Sequence, residues 1–165
     1  MPHIRLIDLY ARELSQVLSA EQQMSRALPR MADAASVGEL RAAFEDHQKE
    51  TLNQVQRLER ILELSTVKPE RVKCTAMEGL IADCQDLVEQ IPEGPVRDAA
   101  LISVAQKIEH FEIAAYGTLI AVADIVGADH ETAVLLAETL DEEKAANEKL
   151  TTIALTRVNE DARAA

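Results

Sequence analysis

The sequence predicts an all-α protein, a bundle of four long helices, and three observations predict it. Apolar residues recur in alternating steps of three and four, the period of one helix face. Glycine and proline number five each in 165 residues, so the elements between breaks must be long. Hydrophobic residues make up 47% of the chain, yet aromatics are 2% and Trp is absent, so the core must be aliphatic and closely packed. This length fits a single domain spanning residues 1–165.

The first helix is expected from about His3 to Asp33, with Tyr10, Leu14, Val17, Met24, Leu28 and Met31 on its inward stripe. Pro29 deletes one backbone bond near its end and should bend the last turn. Ser36-Val37-Gly38-Glu39 reads as a capping box that opens a second helix to about Leu64. Its stripe holds Leu40, Phe44, Thr51, Gln54, Leu58 and Ile61. Ser65 to Lys73 form a loop, and Thr75-Ala76-Met77-Glu78 reads as another capping box, starting a shorter helix to about Ile91. Pro92-Glu93-Gly94-Pro95 stops that helix. A third long helix follows from Val96 to Val126, and Gly127-Ala128-Asp129 ends it and caps the next. The fourth runs from about His130 to Asn159, with Leu136, Leu140, Leu150 and Ala154 inward, and the residues from Asp161 onward are expected to fray.

Loop lengths predict the topology. Short loops make the first and second long helices antiparallel, and likewise the third and fourth. About 30 residues between the second and third allow a return along the bundle, the one-crossover connection of ferritin-like folds. The expected fold is therefore a ferritin-like up-down-down-up four-helix bundle whose long crossover carries the extra short helix.

Charge and cysteine usage narrow the partners. With 17 basic and 29 acidic residues the net charge is −12, which disfavours nucleic acid and anionic membrane surfaces and favours cations. Cys74 and Cys84 form no C-x-x-C pair, and a reduced cytoplasmic setting is expected. Neither a signal-peptide apolar run nor a membrane-length apolar stretch is visible.

The informative residues are ionisable groups on apolar stripes. Glu21 occupies a stripe position on the first long helix, and His47 one on the second, with Glu50 a turn further on. Glu109 and Glu112 occupy the third stripe, and Glu143 the fourth. Burying an isolated carboxylate costs several kcal/mol, and a whole domain is stable by only ~5–15 kcal/mol. Five such acids must be paired, protonated, hydrated or bound to metal. No Lys or Arg is evident at their level, whereas two divalent cations would nearly balance five carboxylates and a neutral histidine. Counting from the first turn, Glu21, His47 and Glu50 share one height. Glu143 matches Glu109 and Glu112 less well, by roughly one helical turn. Asn147 sits at a better height but is a poorer ligand, and Glu142 lies at the stripe's edge.

Taken singly, each acid is more often a charge at a stripe edge, and a lone inward His is more often a hydrogen-bonded core residue. The Glu109–Glu112 pair is more telling, because adjacent like charges destabilise a helix. The joint pattern over four helices favours a two-metal site. Tyr116, one turn from Glu112, reads as a packing residue with a satisfied hydroxyl, with a ligand hydrogen bond or electron relay as the alternative. Met24, Met31 and Met77 read as core, His3, His110 and His130 as surface, and the cysteines as inert.

The segments Phe44-Glu45-Asp46-His47-Gln48-Lys49-Glu50-Thr51, Glu109-His110-Phe111-Glu112-Ile113-Ala114-Ala115-Tyr116 and Leu140-Asp141-Glu142-Glu143-Lys144 resemble the YciE/YciF-type bacterial stress proteins. The resemblance runs from Leu6 to about Ala154. It implies a ferritin-like fold related to rubrerythrin and a homodimer. It also implies metal ligands at Glu21, His47, Glu50, Glu109, Glu112 and Glu143. One departure stands out. The Glu-x-x-His pair usual on two helices of such bundles is reversed as His47-x-x-Glu50 and replaced by Glu109-x-x-Glu112. An oxygen-rich set with one histidine suits two Fe or Mn ions, iron favoured, better than Cu or Zn. Three functions follow as expectations. The first is a dinuclear metal protein reacting with oxygen or peroxide under stress. The second is a non-catalytic structural or assembly protein with a vestigial or structural metal site. The third, weaker, is iron sequestration. Whether the chain is an enzyme stays open on the sequence.

Overall fold

The computed structural model describes residues 4–165. The expected start at His3 lies outside them. Helix α1 spans Leu6–Ala34, α2 Gly38–Leu64, α3 Thr75–Gln90, α4 Pro95–Ala123 and α5 His130–Ile153. A π-helical turn over Ala154–Val158 leads without a break into α6, Asn159–Ala164. The tail expected to fray is therefore helical. Val158 anchors it, fully buried in the core. Helix α1 continues through Pro29 to Ala34.

Helices α1 and α2 pack against each other, as do α4 and α5, and the two pairs meet along α1–α4 and α2–α5. The short α1–α2 and α4–α5 turns sit at opposite ends, and the crossover carries α3 against α1 and α4. This is the ferritin-like connectivity expected from the loops. Among the described residues, no helix is long and apolar enough to cross a membrane.

Both expected capping boxes fail, for instructive reasons. The Ser36 side chain caps nothing. Instead Asp98, buried on α4, accepts from the backbone N–H groups of Ser36 and Val37 at 2.8 and 2.9 Å. A carboxylate from another helix, rather than Glu39 reaching back, satisfies the Ser36 N–H. At α3 the cap position is Cys74, without a side-chain bond, and Glu78 turns to Lys73 instead. Ser19 of α1 accepts from the Cys74 N–H at 3.1 Å. The expected cap at α5 does form, with Asp129 accepting from the Thr132 N–H at 2.8 Å. Gly127, at φ 77°, supplies the left-handed residue that turns the chain after α4.

The core has two apolar blocks. One, at the α1–α2 turn end, gathers Met24, Leu28, Leu40, Phe44, Ile108 and Leu150 with Met77 and Cys84 of α3. The other, at the α4–α5 turn end, gathers Tyr10, Leu14, Leu58, Ile61, Leu119 and Leu136. The ionisable stripe residues occupy the layer between the blocks.

Candidate metal centre

Each wall of the bundle brings one or two groups to this layer, because each interrupts its own helix's apolar stripe. Glu21 and Glu143 are 0% exposed, Glu109 and Glu112 1%, and His47 6%. His47, Glu109, Glu112 and Glu143 each offer a ligand atom, and those atoms lie within 4.8 Å of one another. His47 Nε2 is 3.4 Å from Glu109 Oε1 and 3.8 Å from Glu143 Oε2. The doubt over the height of Glu143 is thereby removed. Asn147, the alternative at that level, instead accepts from Gln106 at 3.3 Å, away from the cluster.

Glu21 stands beside this group of four. Tyr116, fully buried, donates its hydroxyl proton to Glu21 Oε1 at 2.7 Å. The hydroxyl is thus satisfied, and the same bond fixes an acid of the layer. Glu50 stands apart from the four. Its side chain is 47% exposed, and it meets the outer ring nitrogen of His47, Nδ1, at 3.4 Å. It therefore reaches the layer through His47.

Two neighbours were not singled out in the sequence. Gln54, fully buried, donates to Glu142 Oε2 at 3.0 Å and also to Glu143. Arg57 clasps Glu142 with both terminal nitrogens, at 2.6 and 2.7 Å. A half-buried Arg thus stands at the edge of the layer, where no inward cation was expected. It compensates Glu142 and leaves the central acids unpaired. Gln54 lay on the read stripe without a role assigned to it. The spacing Gln54-x-x-Arg57 was the available signal, since i and i+3 share a helix face.

The electrostatics follow from burial. Desolvation pushes the Glu21 carboxyl up to about 8, aided by the Glu143 charge and opposed by the Tyr116 hydrogen bond. Desolvation also raises Glu109, against the pull of His47, and raises Glu112 together with the Glu21 and Glu143 charges. For His47 burial acts downward, but Glu109, Glu50 and Glu143 outweigh it and hold the imidazole up near about 10. Burial thus favours the protonated forms of Glu21, Glu109 and Glu112, and the neighbouring acids favour the protonated His47.

Several polar atoms still lack partners. Glu21 Oε2, His47 Nε2, Glu109 Oε2, Glu112 Oε1 and Glu143 Oε2 are all buried without a hydrogen bond. Buried polar groups are nearly always satisfied. Four unsatisfied carboxylate oxygens and one imidazole nitrogen in one layer fit a positively charged ligand that would complete them once protons leave. The donor set, four buried carboxylates and one imidazole, fits hard divalent cations.

Fold and layer together define a ferritin-like bundle with a carboxylate-rich centre. Residues 5–163 match the family described as "Domain of unknown function (DUF892)", and the chain belongs to that family. It is 46% identical over 156 residues to Protein YciF of Escherichia coli (strain K12), covering 94% of this chain and 93% of that protein. The crystal structure of the E. coli stress protein YciF superposes with a TM-score of 0.91 at 44% identity, covering 95% of this chain and 99% of that one. A putative structural protein from Rhodopseudomonas palustris, YcfI, superposes with a TM-score of 0.86 at 40% identity, covering 92% and 96%. A Xanthomonas campestris protein at 21% identity, TM-score 0.70, covers 90% of each chain and shares the fold.

Proposed function

We propose that this stress-family bundle binds two Fe or Mn ions in the polar layer and reacts with oxygen or peroxide. The observation that carries the reading is the set of buried, partnerless ligand atoms on His47, Glu109, Glu112, Glu143 and Glu21. Glu21, His47, Glu109, Glu112 and Glu143 would hold the ions, with Glu50 joining from the rim. A bound pair would supply Lewis acidity and one-electron chemistry. The chain's own residues do the rest. The apolar blocks exclude water on two sides, Tyr116 orients Glu21, and Gln54 orients Glu143. The acids release their protons as cations replace them.

The test is anaerobic titration with ferrous iron and, separately, manganous ion, followed by elemental analysis. About two ions per chain are expected, falling in Glu109→Gln and Glu21→Gln with folding intact. A wild-type protein that binds neither metal overturns the reading. Oxygen or peroxide consumption by the loaded protein then separates turnover from binding.

A second reading is a structural or assembly protein whose metal only braces the bundle. The single nitrogen ligand and the R. palustris relative's description as a putative structural protein favour it. Metal binding without oxidant consumption would select it. A homodimer accompanies either reading. The outward residues of α4 at Ile113, Ala114, Gly117, Thr118 and Ala121 carry no charge. Sedimentation showing only monomer would exclude it.

A further inference from the structure

The layer is not sealed equally on all sides. Between α2 and α5 a cleft of about 100 Å³ runs inward, lined among others by Phe44, His47, Glu50, Glu109, Ala146 and Lys149. Its inner wall includes two of the clustered groups, His47 and Glu109. Its outer wall includes Glu50 and Lys149, whose side chains are 47% and 50% exposed. Small residues, Ala43, Ala145 and Ala146, keep the passage open. The volume is enough for a hydrated ion or a few waters. Lys149 of α5 reaches Asp46 of α2 at 3.5 Å, so this ion pair spans the two helices that flank the cleft.

We propose that the α2–α5 cleft is the entry route for divalent cations, with Glu50 as the carboxylate that receives them and Lys149 as the charge that restrains entry. The proposal rests on the metal-binding reading above and adds a path to it. Glu50 suits the receiving role because it touches both water and His47. A hydrated cation meeting Glu50 exchanges water for a carboxylate oxygen before it reaches Glu109. Lys149 opposes that approach from the same mouth. While it pairs with Asp46 its charge is held over the cleft, and a cation must enter past it. The route does not pass between α1 and α4, where Glu21, Glu112 and Tyr116 are 1% exposed or less.

The test is the rate of anaerobic uptake of cobaltous ion, followed by its visible absorption in stopped flow. Ala146→Leu should fill the passage and slow uptake roughly tenfold or more, with the final number of ions unchanged. Lys149→Met should speed uptake several-fold at low salt and steepen its fall with added salt, since Glu50 and Asp46 are left unopposed at the mouth. Glu50→Gln should slow it. Circular dichroism and thermal unfolding of each metal-free variant check the fold. If Ala146→Leu does not fold, Lys149→Met and Glu50→Gln carry the test. Wild-type rates in the folded variants overturn the route. A wild-type protein that takes up no cobalt overturns the metal reading itself, so the two failures are distinct.

Discussion

On the α1–α4 side of the polar layer, Tyr116 closes on Glu21 beneath complete burial. On the α2–α5 side, Glu142 is 28% exposed and clasped by Arg57, while Glu50 is half in water. The two sides carry acids of the same kind with opposite problems. The closed side holds its acid by desolvation and one hydrogen bond, so its proton is hard to remove. The open side holds its acids by charge pairing and hydration, so they stay accessible. Burial pushes Glu21 up to about 8, whereas the His47 hydrogen bond holds Glu50 below the usual carboxylate range. A centre with one stiff, proton-holding wall and one hydrated wall can keep its geometry and still exchange ligands.

The largest expected effect tests the closed wall by pH. Glu21 has a folded-state value above its unfolded one, so its stabilising contribution is complete below about 4.5 and lost as pH rises through about 8. His47 acts in the same direction, with its contribution complete below about 6.5 and lost as pH rises through about 10. Scanning calorimetry of the metal-free protein should show Tm falling on the order of 10 °C between pH 5 and 9. Glu21→Gln should flatten that slope. A flat wild-type profile would mean that the wall is wetter than its burial indicates.

Saturating ferrous or manganous ion should reverse the trend. At a thousandfold excess over Kd, binding adds about 4 kcal/mol, measurable by chemical denaturation. The gain should grow with pH as protons cease to compete. Tyr116→Phe comes next, because it leaves Glu21 Oε1 unpaired in a dry site. A loss of about 1–3 kcal/mol is expected. On the open side, Arg57→Ala should cost about 1 kcal/mol or less, since water can solvate Glu142. Glu50→Gln should stay within about 0.5 kcal/mol of the parent in stability. Equal losses at Tyr116 and Arg57 would erase the contrast between the walls.

The helices, their order and the inward acids were legible because each depends on a period of 3.6 within one segment. His47, Glu109, Glu112 and Glu143 could be seen together for that reason. Their relative heights could not be fixed to better than a turn, because the α4–α5 loop length alone sets register only loosely. Capping was misread twice for a related reason. A Ser or Thr three residues before a Glu is a local signal, but the Ser36 and Val37 N–H groups are taken by Asp98, 62 and 61 residues away. The clasp of Arg57 and Gln54 on Glu142 escaped notice likewise. Their residue types suit the role, but pairing across 85 and 88 positions has no local trace. Glu50 was legible as a neighbour of His47, and its half-exposure was not. A helical stripe has soft edges, and the ~60° by which i+3 falls short of a full turn separates buried His47 from half-exposed Glu50.

Asp98 also carries a consequence for how the chain assembles. During synthesis the α1–α2 hairpin emerges well before Asp98 does. Until α4 arrives, the N–H groups of Ser36 and Val37 have only water as a partner. The hairpin therefore stays provisional through the making of α3, held by its apolar stripes and free to breathe at its tip. Arrival of α4 fastens that tip through Asp98 and, three turns along the same helix, delivers Glu109 and Glu112. A single helix thus serves as keystone, fastening the oldest turn and bringing two acids to the polar layer in one docking step.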